Sequence, residues 1–392
     1  MEIYFEVKGE NMQEYSQEKL NEAVEEQVNE FQKNNKKPSV LLMGQTGTGK
    51  TTAATEYIFG TAEVGDGAKP CTIGIKWYDG KNINIYDSEG YEIGKQEHYR
   101  ELVMDGFLKD PSTQGPDGIQ VVWYFVSGAG KKITDYDISL IKEIQEMNKY
   151  QIALVISKID EMSEEQLEEL KRIAGIELPK VPVFQISMAP AIKDNPEVTD
   201  WNRLTEWTWS VLGEVFQSRF VWALRGALEI KKQQINKWIL AAATSAAGIG
   251  AAPIPFADAP VLAGLQGVLI FKILRTYNVQ VATGTVTGLI SSLGVSQAGR
   301  WLCGQLLKFV PVLGNIANAT VAAAITYALG KAVDTLCQRQ AKQMLAGEPV
   351  TIDVDAILGS KEFATMVQTQ FGDIKDHILD LIKGDDSDGL SK

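Results

Sequence analysis

The sequence predicts an α/β protein: a doubly wound, mostly parallel six-stranded sheet, followed by a second, all-α domain. Three observations carry this. Apolar strand-like runs at 39–43, 119–126, 151–156 and 181–187 alternate with helical patterns at 136–149 and 163–174, as a parallel sheet wrapped by helices requires. A glycine-rich turn, Gly44-Gln45-Thr46-Gly47-Thr48-Gly49-Lys50-Thr51-Thr52, joins the first of these strands to a helix-compatible run. From Trp201 onward the alternation stops and Ala- and Gly-rich stretches take over. A chain of 392 residues exceeds the size at which one core stops growing, so more than one domain is expected.

The chain opens with a helix, assigned to residues 1–37. Leu20, Val24, Val28 and Phe31 recur at helical spacing, and Asn11 and Glu14 are spaced as a capping box. This helix is expected to pack on the sheet domain or on the second domain. The sheet domain, 38–215, begins with Ser39-Val40-Leu41-Leu42-Met43 and the glycine-rich turn, whose pattern is G-x4-G-K-[ST]. Glycines let the backbone wrap closely round an anion, so that successive N–H groups and the following helix N-terminus point at phosphates. Gly44, Gln45, Thr46, Gly47, Thr48, Gly49 and Thr52 form the cradle, Lys50 reaches the β- and γ-phosphates, and Thr51 ligates Mg²⁺. A loop with Gly60, Gly65 and Gly67 follows, then two strands joined by Asp79-Gly80, which predicts one antiparallel edge pair.

The second of those strands, Asn82-Ile83-Asn84-Ile85-Tyr86, runs into Asp87-Ser88-Glu89-Gly90. In this D-x-x-G element Asp87 can hold the Mg²⁺ shell through water, and the Gly90 amide can meet a γ-phosphate. The strand Ile152-Ala153-Leu154-Val155-Ile156 ends in Ser157-Lys158-Ile159-Asp160. A carboxylate at Asp160 accepts from both the ring N–H and the exocyclic NH₂ of guanine. Adenine would leave it unpaired, at a cost of about 1–3 kcal/mol or more, so guanine is favoured.

In order, spacing and strand-end placement these motifs resemble those of the P-loop GTPases, over residues 38–215. The resemblance implies a Ras-like G domain that binds GTP or GDP with Mg²⁺ and hydrolyses GTP. It assigns Thr72, in Lys69-Pro70-Cys71-Thr72-Ile73, to closure on Mg²⁺ and the γ-phosphate, and Ser187-Met188 to the base-side fifth motif. Tyr91 stands where Ras-like proteins carry a water-positioning Gln, and a phenol does not orient water in the same way. The G-x-T-G-x-G-K spelling, with Gly47 where potassium-activated members place Asn, is closer to septins, immunity-related GTPases and chloroplast import GTPases, and that resemblance implies pairing of two G domains across the nucleotide. Lys131 and Lys132, in Ser127-Gly128-Ala129-Gly130-Lys131-Lys132, either supply a cation to a second copy or are solvated loop charges. The expected catalytic set is Lys50, Thr72, Gly90, Lys131 and Lys132. Hydrolysis is expected to be slow in the isolated chain and stimulated by dimerisation or a partner.

From Trp201 to Leu240 there is no proline, and Leu204, Trp207, Val211 and Val215 recur at helical spacing. If continuous, that helix would be ~60 Å long. Five of eight tryptophans fall there, either as an interfacial belt or as inter-helix packing. The second domain, 216–345, holds 12 basic and three acidic residues, a net of +9, which leaves −21 for the rest of a chain whose total is −12. Attraction between the domains and attraction to anionic lipid both fit that partition. Uncharged runs at 239–257, 276–299 and 309–330 are long enough to span a bilayer, yet their Ala, Gly, Ser and Thr content favours a helical bundle with at most peripheral membrane contact. Proline turns at 253–260 and 310–315 suggest two helical hairpins, with Asp258 as a helix cap or a buried acid. Residues 239–275, Ala322 to Lys331 and the loop 127–137 are similar to the uncharacterised helical domain found after Era-like GTPase domains in bacteria, and to that group's GTPases. An amphipathic helix and an acidic tail are expected at 346–392.

Cys71, Cys303 and Cys337 have no metal-like spacing, the first residues carry no secretory pattern, and two histidines give little material for a triad. The cytoplasm is the expected compartment. Expected partners are guanine nucleotide, a second copy of the chain and, peripherally, an anionic membrane; nucleic acid is not expected. The competing class is a nucleotide-gated structural or membrane-remodelling module with negligible turnover.

Overall fold

A computed structural model describes residues 17–60, 69–72, 74–225, 228–250, 259–277 and 314–345, with the single positions 286, 365 and 369. The capping box at Asn11, the loop with Gly65 and Gly67, the proline turn with Asp258, most of the 276–299 run and the expected 346–392 helix as a whole lie outside them. The chain divides into two compact units, Asn35–Ile230 and Met1–Asn34 together with Lys231–Lys392.

The first unit is a seven-stranded sheet: β1 Ser39–Gly44, β2 Lys69–Thr72, β3 Ile75–Asp79, β4 Asn84–Ser88, β5 Val121–Ser127, β6 Gln151–Ser157 and β7 Val183–Gln185. Their spatial order is β2-β3-β4-β1-β5-β6-β7. The six expected strands are present, and β2 adds a short seventh at the edge. β4, β1, β5, β6 and β7 run parallel, while β2–β3 and β3–β4 are antiparallel. The β3–β4 connection is longer than the Asp79-Gly80 dipeptide implies: Asp79 pairs with Asn84, so Gly80–Ile83 form the loop.

Alternation along the central strands sends side chains into two cores. Leu41, Met43, Tyr124, Val126, Leu154 and Ile156 face α3 Gln96–Arg100, its π-helical continuation Glu101–Leu108, α4 Asp135–Glu146 and α5 Glu164–Glu177. Val40, Leu42, Trp123, Phe125 and Val155 face α2 Lys50–Thr52, its π-helical continuation Ala53–Ile58, α6 Trp201–Val211 and α7 Glu214–Ala223. Thr134 and Ser163 start α4 and α5 with reciprocal capping boxes.

The expected long helix from Trp201 is broken twice. Leu212 is extended (φ −75°, ψ 138°), and the Gln217 side chain donates to its carbonyl at 3.1 Å. Leu224 is extended too, and the Arg225 amide donates to Ile58 O at 2.9 Å, which draws the chain back to the end of the α2 segment. Local hydrogen bonds and burial of Trp201, Phe220 and Trp222 outweigh the helical periodicity. The tryptophans of α6 and α7 therefore pack, with Trp123 Nε1 donating to Thr208 Oγ1 at 3.1 Å, and the expected boundary at 215 lies inside the first unit.

The second unit is helical. It contains α1 Gln17–Asn34, the greater part of α8 Leu228–Gly250, α9 Ala259–Thr276 and α10 Gly314–Leu345. Helix α1 packs along α9: Val24 and Val28 are buried, Phe31 meets Phe271 edge-on at 6.4 Å, and the Lys272 ammonium lies 4.4 Å from the Phe31 ring centre. At Gly330 a Cβ would stand 2.7 Å from Ile239 Cγ1, so the missing side chain lets α10 approach α8 closely. Among the described residues, no helix is long and apolar enough to cross a membrane.

Candidate functional site

The strand registers bring the sequence motifs to one edge of the sheet. Leu42 pairs with Asp87, Gly44 with Phe125, Ser127 with Ser157, and Ile156 with Gln185, so β1, β4, β5, β6 and β7 end together. Ligands of doubly wound sheets bind at these carboxyl ends, where the strand order reverses. Here the reversal falls at β1, between β4 and β5.

The glycine-rich turn is held by its backbone. Gly44 (φ 119°) has no room for a side chain, since a Cβ would stand 2.0 Å from Phe125 O, while Gly47 and Gly49 are left-handed. Thr48 is buried and donates to Gln45 O at 3.0 Å, and Lys50 folds under the loop, its Nζ 3.0 Å from Gln45 O and 3.4 Å from Gly44 O. The D-x-x-G segment lies against the turn. Thr46 N donates to Tyr91 O at 3.1 Å, Tyr91 N donates to Gly44 O at 3.3 Å, and Thr46 Oγ1 donates to Glu89 O at 3.4 Å. At Gly90 (φ 82°) a Cβ would come within 2.8 Å of Lys50 Nζ.

Between these pieces is a cavity of about 360 Å³, lined by Thr46, Lys50, Thr51, Lys76, Asp87 and Glu89 with parts of Gly47, Gly49, Thr52 and Ser88. Asp87 is 6% exposed; its Oδ2 accepts from Thr51 Oγ1 at 2.6 Å, and its buried Oδ1 has no partner among the described residues. Burial raises the Asp87 carboxyl above its ordinary range, while the Thr51 hydroxyl and the Lys50 and Lys76 charges oppose the shift. Burial also pushes the Lys50 ammonium down to about 8, against the pull of Asp87. The two effects describe a desolvated pocket with an orphaned anionic oxygen beside a hydroxyl. That donor set fits a hard divalent cation such as Mg²⁺, with Thr51 and Asp87 as the holders.

The other expected residues divide. Ser157 donates to Val126 O at 3.2 Å, Lys158 is left-handed (φ 55°), and Ser187 Oγ donates to Asp160 Oδ1 while accepting from Ala189 N at 2.9 Å. The 157–160 turn and Ser187 thus form one carboxylate-bearing rim, with Met188 packed half-buried behind it. Lys131 and Lys132 are exposed and lie outside the cavity. Their loop adjoins the 157–160 turn instead, because a Cβ on Gly128 would stand 2.8 Å from Ser157 O. Thr72 ends β2, opposite Ile75, and its side chain lies outside the described residues.

Tyr91 turns away from the cavity. It is 3% exposed, its hydroxyl donates to Asp137 Oδ1 at 2.7 Å, and its ring packs on Tyr99 and Tyr136. Tyr124 donates to the same Asp137 oxygen at 2.8 Å, and burial raises both phenols far above their ordinary range. Tyr99 completes the support, its hydroxyl accepting from Gly44 N at 3.3 Å and pairing with Ser88 Oγ at 2.9 Å. Tyr99, Asp137 and Lys76 were not legible as site residues; for Lys76 the only signal is the strand register.

No protein-family model and no curated protein matches the chain. Among solved structures, the fold is similar to a probable GTP-binding protein engB, with 16% identity over 44% of this chain and 97% of that one and a TM-score of 0.32. It is similar to Era in complex with MgGDPNP and nucleotides of 16S ribosomal RNA, at 17% identity over 46% of this chain and 58% of that one, TM-score 0.32. It is also similar to an oligomerised bacterial dynamin pair, at 11% identity over 93% and 73%, TM-score 0.33. These likenesses are of fold alone.

Proposed function

We propose that the chain is a Mg²⁺-dependent guanine-nucleotide-binding protein that hydrolyses GTP to GDP and phosphate and couples nucleotide state to pairing of its sheet units and to its helical unit. The observation that carries this reading is the cavity where Lys50, Thr51 and Asp87 meet, with Asp87 Oδ1 buried and, among the described residues, unpartnered. Lys50 is suited to hold β- and γ-phosphate oxygens, and left-handed Gly47 and Gly49 keep the loop's amides turned toward an anion. Mg²⁺, when bound, would neutralise phosphate charge there. Asp160, steadied by Ser187, offers guanine the acceptor pair that adenine lacks.

A second reading, a nucleotide-gated structural or membrane-remodelling module with negligible turnover, draws on Tyr91. Its hydroxyl is committed to Asp137, so the residue directly after D-x-x-G orients no water. Calorimetric titration with GTP, GDP and ATP tests the shared core of both. Wild type should prefer the guanine nucleotides, and Lys50→Ala should weaken GTP by about 2–3 kcal/mol, the worth of hydrogen bonds to a charged group. Unchanged affinity in Lys50→Ala would remove the site.

A further inference from the structure

We propose that Lys76 is a second phosphate-facing cation of this site, acting on the terminal phosphate and sharing the cavity with the metal. The proposal rests on the nucleotide reading above and adds a residue that no sequence motif marks.

Strands β3 and β4 pair in antiparallel register with Lys76 directly opposite Asp87. Opposed residues of an antiparallel pair project to the same face, a few ångströms apart. Asp87 faces the cavity, and Lys76 therefore lines it too. Its charge reaches Asp87, where it favours the ionised carboxylate alongside Lys50. Among the described residues no hydrogen bond or ion pair ties up the Lys76 ammonium, and the side chain is exposed at the cavity mouth. Lys50 and Lys76 are the cations among the described lining residues, and they come from different elements. Lys50 rises from the glycine-rich turn, whereas Lys76 comes from the antiparallel edge beside Asp87. The Asp87 side is where the metal and the terminal phosphate belong, so Lys76 faces charge that GTP carries and GDP lacks. The same placement sets two cations near one carboxylate, so Lys76 and Mg²⁺ repel each other while both attract phosphate.

The full chain is titrated with fluorescent GTP and GDP analogues, each in excess Mg²⁺ and in EDTA, for wild type, Lys76→Ala and Lys76→Arg, with Lys81→Ala on the same hairpin as control. Lys76→Ala should weaken the GTP analogue about tenfold and the GDP analogue less than twofold. The GTP loss should be larger in EDTA than in Mg²⁺, because removing the lysine also removes its repulsion of the metal. Lys76→Arg should keep most of the affinity, and Lys81→Ala should match wild type. Equal losses for GTP and GDP, no loss, or the same loss in Lys81→Ala would each overturn the proposal; the first would mark a structural or general electrostatic effect. Wild type that binds neither analogue would refute the nucleotide reading itself, a result distinct from any difference among variants.

Discussion

At the scale of single residues, the site depends on where charge is buried. Lys50, held near 8 by desolvation, regains its charge preference when phosphate arrives, so its pKa is higher in the complex than in the free protein. Below about pH 8 the free ammonium is already charged and GTP affinity should be flat. Above it, binding must take up a proton, and affinity should fall by up to tenfold per pH unit. Calorimetry in two buffers of different ionisation enthalpy would reveal that uptake, and its absence at pH 9 would contradict the assignment. Asp160 makes a second test. Asp160→Asn exchanges an acceptor for a donor, which mismatches guanine and suits the ring carbonyl of xanthine, so GTP should weaken and XTP should gain in competition experiments. Both positions stand out in the sequence because the proposed chemistry calls for particular residue types in the turns that follow strands. Lys76 does not. A two-residue turn at Asp79-Gly80 would carry Thr72 opposite Asp87, and the four-residue loop that forms instead delivers Lys76 there. Register, which slides every side chain with it, decides which side chain faces the cavity.

At the scale of elements, periodicity found α1, yet it could not place the helix ends from Trp201 onward. A helical pattern records which face is apolar; it is blind to a glutamine side chain that closes off Leu212 or an amide of Arg225 that prefers Ile58 O. The same limit left the partner of α1 open between two domains, and the structure assigns it to α9 through Val24, Val28 and Phe31. Val28 is fully buried, so Val28→Ala removes two methyl groups from a close-packed seam and should cost about 1–3 kcal/mol. Denaturant unfolding followed by tryptophan fluorescence reads this. Because the seam belongs to the helical unit, GTP affinity should stay within twofold of wild type; a large loss of affinity with unchanged stability would contradict the assignment of α1.

At the scale of the whole molecule, a sheet unit and a helical unit are joined in one chain, and the proposed turnover is the property that neither unit explains by its own contents. The sheet unit gathers the groups proposed to bind phosphate and base, but the residue after D-x-x-G is folded into a buried network with Asp137 and Tyr124. Freeing that phenol would break its bond to a buried carboxylate and leave Asp137 with one fewer donor, a loss of about 1–3 kcal/mol. Even then it would bring no carboxamide to orient water. On the proposed function, a group that positions the attacking water comes from elsewhere, and Lys131 and Lys132, exposed on the loop beside the 157–160 rim, are proposed as cations offered to a second copy. Specific GTPase activity of the full chain should accordingly rise with protein concentration, steeply below the dissociation constant of the pair and flat above it. Lys131→Ala with Lys132→Ala should abolish the rise while leaving GTP affinity of the dilute chain unchanged. Mixing that double variant with an excess of Lys50→Ala protein, which keeps both loop lysines but binds nucleotide poorly, should restore turnover, because each copy then supplies what the other lacks. Activity that is already fast and constant over a hundredfold dilution would place the missing group within the chain itself and leave pairing without a catalytic role.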